Sequence, residues 1–101
     1  MDLKLINSGK KGELFLDGRL DSATALQLEP VVMRTAEKFE TLVLNLQNLE
    51  YTASSGLRII RSLQIAMNQK GGDLIIKNPR PAVMEVFELT GFSGFLKIVK
   101  D

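Results

Sequence analysis

Ser54 and Ser55 are the residues of this sequence best placed to do chemistry. They follow an apolar run and a short polar stretch, and they open an amphipathic one. That pattern predicts a strand, a loop and a helix start. A helix start carries unpaired backbone N–H groups and the positive end of the helix dipole, so it favours negative charge. One reading is therefore a point that receives negative charge and through which the protein works. The plainer reading is a helix N-cap, worth about 1 kcal/mol and switching nothing. A third reading, a nucleophilic serine, needs a nearby base.

The composition bears on that third reading. The 101 residues include no histidine and no cysteine. The commonest general base, the commonest metal ligand, thiolate catalysis and disulfides are thereby removed. No base stands near Ser54 in the sequence, so no enzymatic activity is expected. The acidic residues show no metal-ligand spacing, and phosphate loops of the GxGxxG or GxxxxGK type are missing. No cofactor and no metal are expected. A net charge of +1 with no block of like charge gives no footprint for nucleic acid. No apolar run approaches the roughly 20 residues of a membrane span, and the first residues lack a signal-peptide core. A cytoplasmic protein without direct membrane insertion is expected, folded as one domain over residues 1–101.

The elements that must position the serines can be read in order. Residues 3–6 and 13–16 predict two strands joined across the turn formers Asn7 to Gly12, a hairpin, with Asp17-Gly18 ending the second. Asp21-Ser22 offers an N-cap for a helix whose buried face is Ala25, Leu28, Val32, Ala36 and Phe39. Pro30 lies inside this pattern and predicts a bend. Residues 41–46 predict an inner strand and 47–53 a loop. The helix from Ser54 to about Gln69 buries Ile59, Ile60, Leu63, Ala66 and Met67, turns Arg58 and Arg61 to water, and stops at Gly71-Gly72. Residues 73–77 predict a strand. Asn78-Pro-Arg-Pro81 leads into a third helix that Gly91 closes. Residues 95–99 predict a last strand. Phe87, Phe92 and Phe95 are expected in the core, with Phe92 the one most open to a partner. Strand–helix alternation after the hairpin calls for right-handed crossovers and a largely parallel sheet with an antiparallel edge.

Four segments together carry a resemblance. Leu44-Asn-Leu-Gln-Asn-Leu-Glu-Tyr-Thr-Ala-Ser-Ser-Gly-Leu57 resembles the signature of STAS domains, the anti-sigma factor antagonists of bacteria. Gly71-Gly-Asp-Leu-Ile-Ile76 looks like the family's G-G-x strand, and Pro81 to Gly91 its P-x-V helix ending in S/T-G. Gly18-Arg-Leu-Asp21 resembles the G-E-L-D before the first helix. The resemblance implies an α/β fold with a mixed β-sheet, an antiparallel edge hairpin, otherwise mainly parallel strands and helices mainly on one face.

It also implies a function. Stand-alone members bind an anti-sigma factor, often a serine kinase with a GHKL-type ATP site, and so release a sigma factor. The kinase phosphorylates the first serine of the motif, the modified form lets go, and a phosphatase resets the switch. Carried over by position, the phosphorylated residue is Ser54, ahead of Ser55. The contact residues are then Asp21, Ser22, Thr52, Ala53, Ser54, Ser55, Gly56 and Leu57, with Arg58 and Arg61 on the exposed side of the helix. Ala53 stands where phosphorylated members usually carry Asp, and Arg19 replaces the Glu of G-E-L-D. Ala53 favours the alternative, a STAS-type scaffold or regulatory subunit of a transporter or signalling complex without a phospho-switch.

Overall fold

The computed structural model describes all residues, 1–101. Strands β1 (Asp2–Ser8) and β2 (Lys11–Leu20) form the expected hairpin, paired antiparallel from Asp2↔Asp17 to Ser8↔Lys11. Helix α1 (Ser22–Glu37) follows, then β3 (Thr41–Asn45), β4 (Leu49–Thr52), α2 (Ser54–Gln69), β5 (Asp73–Lys77), α3 (Pro81–Leu89), a 3₁₀ turn at Phe92–Gly94 and β6 (Lys97–Val99). The sheet order is β1-β2-β3-β5-β6, and every pairing except β1 with β2 is parallel. The mixed sheet with an antiparallel edge is therefore as expected.

β2 organises the site. Its first half pairs with β3, from Lys11↔Thr41 to Phe15↔Asn45. Its second half pairs with β4, from Gly18↔Leu49 to Leu20↔Thr52, with a bulge at Gly18/Arg19. The sequence places the end of β2 at Asp17-Gly18. Instead Gly18 adopts φ +120°, a conformation glycine enters without strain, and the strand continues to Leu20. The same extension turns most of the expected 47–53 loop into β4, because β2 supplies backbone partners where β3 has ended.

All three helices share one apolar cluster with one sheet face. Leu14, Leu16, Leu42, Leu44, Leu74 and Ile76 meet Leu28 and Val32 of α1, Ile60, Leu63 and Met67 of α2, and Val83 and Phe87 of α3. The alternate residues form the other face. There Glu13 Oε2 accepts from Asn45 Nδ2 at 2.9 Å and lies 3.5 Å from Lys77 Nζ. Lys77 also pairs with Asp101, whose backbone N–H donates to Asn78 Oδ1, so the last residue is held against this face.

Helix α1 runs through Pro30 without interruption. The proline lacks an N–H and leaves the Leu26 carbonyl without its helical partner. Both residues are exposed, so water can take that role. At the other end of the chain the expected strand begins two residues late. Phe95 closes the 3₁₀ turn and is 47 % exposed, whereas Phe92 is half-buried against the core. The two phenylalanines thus exchange the roles expected of them.

Candidate recognition site at two helix starts

β2 and β4 are parallel neighbours that end in register, at Leu20 and Thr52. Each is followed by one linking residue and a helix, so α1 and α2 begin side by side at the carboxyl edge of the sheet. The Ala53 N–H donates to the Leu20 carbonyl at 2.9 Å and ties the two crossings together. Crevices outside the carboxyl ends of parallel strands are where open α/β sheets place binding sites. Here Ser22, Ser54, Ser55 and Arg58 line a shallow basin of about 390 Å³ with no apolar wall.

The two helix starts differ in how they are finished. At α1, Asp21 is the N-cap. Its Oδ1 accepts from the N–H groups of Ala23 at 3.1 Å and Thr24 at 3.0 Å, and the Asp21 N–H donates to Thr24 Oγ1 at 2.9 Å. This is a reciprocal capping box. Hydrogen bonds from Thr24, first its backbone and then its hydroxyl, hold the Asp21 carboxyl below its ordinary pKa; Ala23 and the charge of Arg19 act in the same direction. All these bonds fall on Oδ1, and Oδ2 is left for another donor.

A depressed folded-state pKa means the folded protein binds fewer protons than the unfolded chain in this range. The Asp21 contribution is therefore present above the unfolded carboxylate pKa and lost as pH falls through the lowered folded value. Asp21→Asn still caps the helix but cannot titrate. Urea midpoints measured at falling pH are expected to drop less steeply for Asp21→Asn than for the unchanged protein. Parallel curves would show that this carboxylate does not carry the linkage.

At α2 the N-cap is Ala53, which offers no side-chain acceptor, and the first turn has no acid. Its backbone is extended, φ −91° and ψ 177°, as an N-cap requires. Ala53→Asp is expected to add about 1 kcal/mol of stability. For a domain of this size that is a rise of about 4–8 °C in Tm, read by calorimetry. A lowered Tm would mean the cap geometry cannot accept a carboxylate.

Ser54 is exposed at the first position of α2. Ser55 is half-buried, and its Oγ is enclosed with no hydrogen-bond partner. It faces a recess of only about 40 Å³ between the helices, shared with Ser22, Leu26 and Arg58. Asp21, Ser22, Ala53, Ser54, Ser55 and Arg58 are thus brought together. Arg61 is exposed one turn further along α2 and lines a different groove. Thr52, Gly56 and Leu57 require a correction. All three are buried, with Leu57 6 % exposed, so their side chains support the surface from beneath. Thr52 and Leu20 press directly on the α2 start, where a Cβ on Gly56 would overlap Thr52 Oγ1 and sit 2.6 Å from Leu20 Cδ2.

Two features of the surface go beyond the contacts expected from the sequence. Leu26 is 79 % exposed beside Arg58 at the α1–α2 recess. Its signal was its position off the Ala25–Leu28–Val32 stripe. Arg19 stacks over the Tyr51 ring at 4.5 Å, joining β2 to β4 by a cation–π contact.

The sequence profile of the STAS domain matches residues 7–101. The chain belongs to the STAS domain family. It is 38 % identical over 87 residues to BtrV of Bordetella bronchiseptica, a proposed anti-sigma factor antagonist, covering 85 % of this chain and 75 % of that one. It is 30 % identical to the anti-sigma F factor antagonist of Paenibacillus polymyxa, over 97 % of this chain and 87 % of the relative. The fold matches that of the anti-sigma factor antagonist SpoIIAA in its unphosphorylated form, with a TM-score of 0.84 and 20 % identity over 99 % of this STAS chain and 88 % of SpoIIAA. No helix of this STAS domain is long and apolar enough to cross a membrane.

Proposed function

We propose that this STAS domain is an anti-sigma factor antagonist. It binds an anti-sigma factor, a serine kinase of the GHKL type, through the paired starts of α1 and α2 and so frees a sigma factor. Phosphorylation of Ser54 ends that binding, and a phosphatase restores it. It acts in the cytoplasm by recognition and not by catalysis.

The observation that carries this reading is the contrast between the two serines. Ser54 is exposed beside Ser22 and Arg58, while the Ser55 hydroxyl is enclosed. A kinase can reach the first and not the second. Relatives at 38 % and 30 % identity bear the names of anti-sigma factor antagonists, which supports the partner class. The test is displacement. Added to a preformed complex of its cognate anti-sigma factor and sigma factor, the unphosphorylated protein should release free sigma. A complex left intact by excess protein would reject the assignment.

A second reading rests on the empty cap. Ala53 leaves α2 without the acid that the resemblance leads one to expect beside the phosphorylated serine. A STAS scaffold in a transporter or signalling complex would use the same surface with no modification. Such a scaffold would bind its partner equally well with Ser54 or with Asp at that position.

A further inference from the structure

The exposed side of α2 carries a continuous row. Ser54, Arg58, Arg61, Ile65 and Asn68 follow at spacings of four, three, four and three, and all five are exposed. Side chains three and four apart share a helix face, so this is one stripe about 21 Å long. It begins at the paired helix starts and ends in a groove of about 370 Å³ between α2 and the 3₁₀ turn. Ile65 forms one wall and is 47 % exposed. Phe92 and Phe95 form the other, their ring centroids 4.8 Å apart and tilted by 51°. Gln64 donates to Asn68 at 3.0 Å along the helix side of the groove, and Arg61 stands at its mouth.

Charge indicates what this row receives. Helix α2 contains two arginines and no acidic residue. The ion pairs of the molecule are Lys10–Glu40, Lys77–Glu13, Lys77–Asp101 and Lys97–Asp73, so neither arginine has an acid within 4.0 Å. Arginine beside exposed aromatic and aliphatic side chains is the composition of an interface centre.

We propose that this groove is a second recognition subsite, and that its occupant is an acidic amphipathic helix of the partner. One large apolar side chain of that helix enters between Ile65 and Phe95. Carboxylates one and two turns away on it meet Arg61 and Arg58. The subsite extends the recognition surface proposed above and rests on that reading for the identity of the partner. A helix of about 14 residues spans the row.

The test uses the full chain, labelled with nitrogen-15, and a synthetic stapled helical peptide of about 15 residues. The peptide carries one Leu near one end, with Glu one and two turns away on the same side of it. Saturable shifts are expected at the amides of Arg61, Ile65, Phe92 and Phe95, with a Kd of about 1 mM or tighter. Replacing each Glu of the peptide by Lys should weaken binding at least about tenfold, and so should Ile65→Lys or Phe95→Ser in the protein. Both positions are exposed, and the same spectra report that each variant stays folded. No saturable shift, shifts confined to another face, or equal binding of the Lys peptide would overturn the proposal. Shifts at the groove that follow protein concentration without peptide would also overturn it, assigning the groove to a second copy of the chain. A failed titration with sigma displacement intact removes the subsite alone. A successful titration with failed displacement keeps the subsite and removes the anti-sigma assignment.

Discussion

Gly56→Ala is expected to destabilise the protein by about 2 kcal/mol and to weaken partner binding with it. Two effects oppose each other at this position. Alanine is the better helix former by about 1 kcal/mol. Against this, the new methyl would overlap Thr52 Oγ1 and lie 2.6 and 2.8 Å from Leu20 Cδ2 and Cγ. Leu20 is 1 % exposed and Thr52 3 %, so neither can swing into solvent. Overpacking of this kind costs about 1–3 kcal/mol, and contact with two immobile neighbours puts it at the upper end. The remaining relief is to lift the first turn of α2 off the ends of β2 and β4, which carries Ser54 away from Ser22. Tm should fall by about 8–16 °C, at about 4–8 °C per kcal/mol for a domain of this size. Gly94→Ala is the control, since nothing lies within 4 Å of a Cβ there and its φ is not positive. Equal Tm values for the two variants would show that α2 does not sit on the strand ends as described.

Ser54→Asp is expected to act in opposite directions on folding and on binding. The added charge sits at the first residue of α2, next to free N–H groups and the dipole's positive end. There it should leave stability unchanged or raise it by about 0.3–1 kcal/mol. In a packed interface the same carboxylate is desolvated without a partner, which costs about 2–5 kcal/mol. Affinity for the anti-sigma factor should therefore fall at least about thirtyfold, at 1.4 kcal/mol per tenfold. Ser54→Ala removes a hydroxyl and adds no charge, so it should stay within about threefold of the unchanged protein. Calorimetric titration of the three proteins reads the difference. Equal affinities for Ser54→Asp and Ser54→Ala would point to the scaffold reading.

Much of the fold was legible in the sequence because local pattern and tertiary environment agree. The buried face of α1 and most of that of α2 fall at helical spacing, and β3 reads as an inner strand because both its faces are covered. β4 was not legible. Its four residues are buried only at the two ends, with Glu50 and Tyr51 exposed between. The strand exists because β2 extends past a glycine bulge, which is a non-local fact.

The site divides in the same way. The motif serines and Asp21 could be nominated by position. That Asp21 caps through one oxygen and leaves the other open, that the Ser55 hydroxyl is enclosed, and that Thr52, Gly56 and Leu57 are foundations beneath the surface all depend on how β2 and β4 end together. The sequence pattern puts Phe95 in a strand, and only the 3₁₀ turn that replaces the strand's start exposes it.

The central claim is that Ser54, at the paired helix starts, is where partner binding is made and ended. The most direct measurement is to incubate the protein with the anti-sigma kinase proposed as its partner and ATP, map the phosphate by mass spectrometry, and titrate the modified protein against the same partner. The account predicts one phosphate, on Ser54 and not Ser55, and an affinity lowered at least about thirtyfold. Phosphate on Ser55, no phosphate on either serine, or a Ser54-phosphorylated protein that binds undiminished would contradict it.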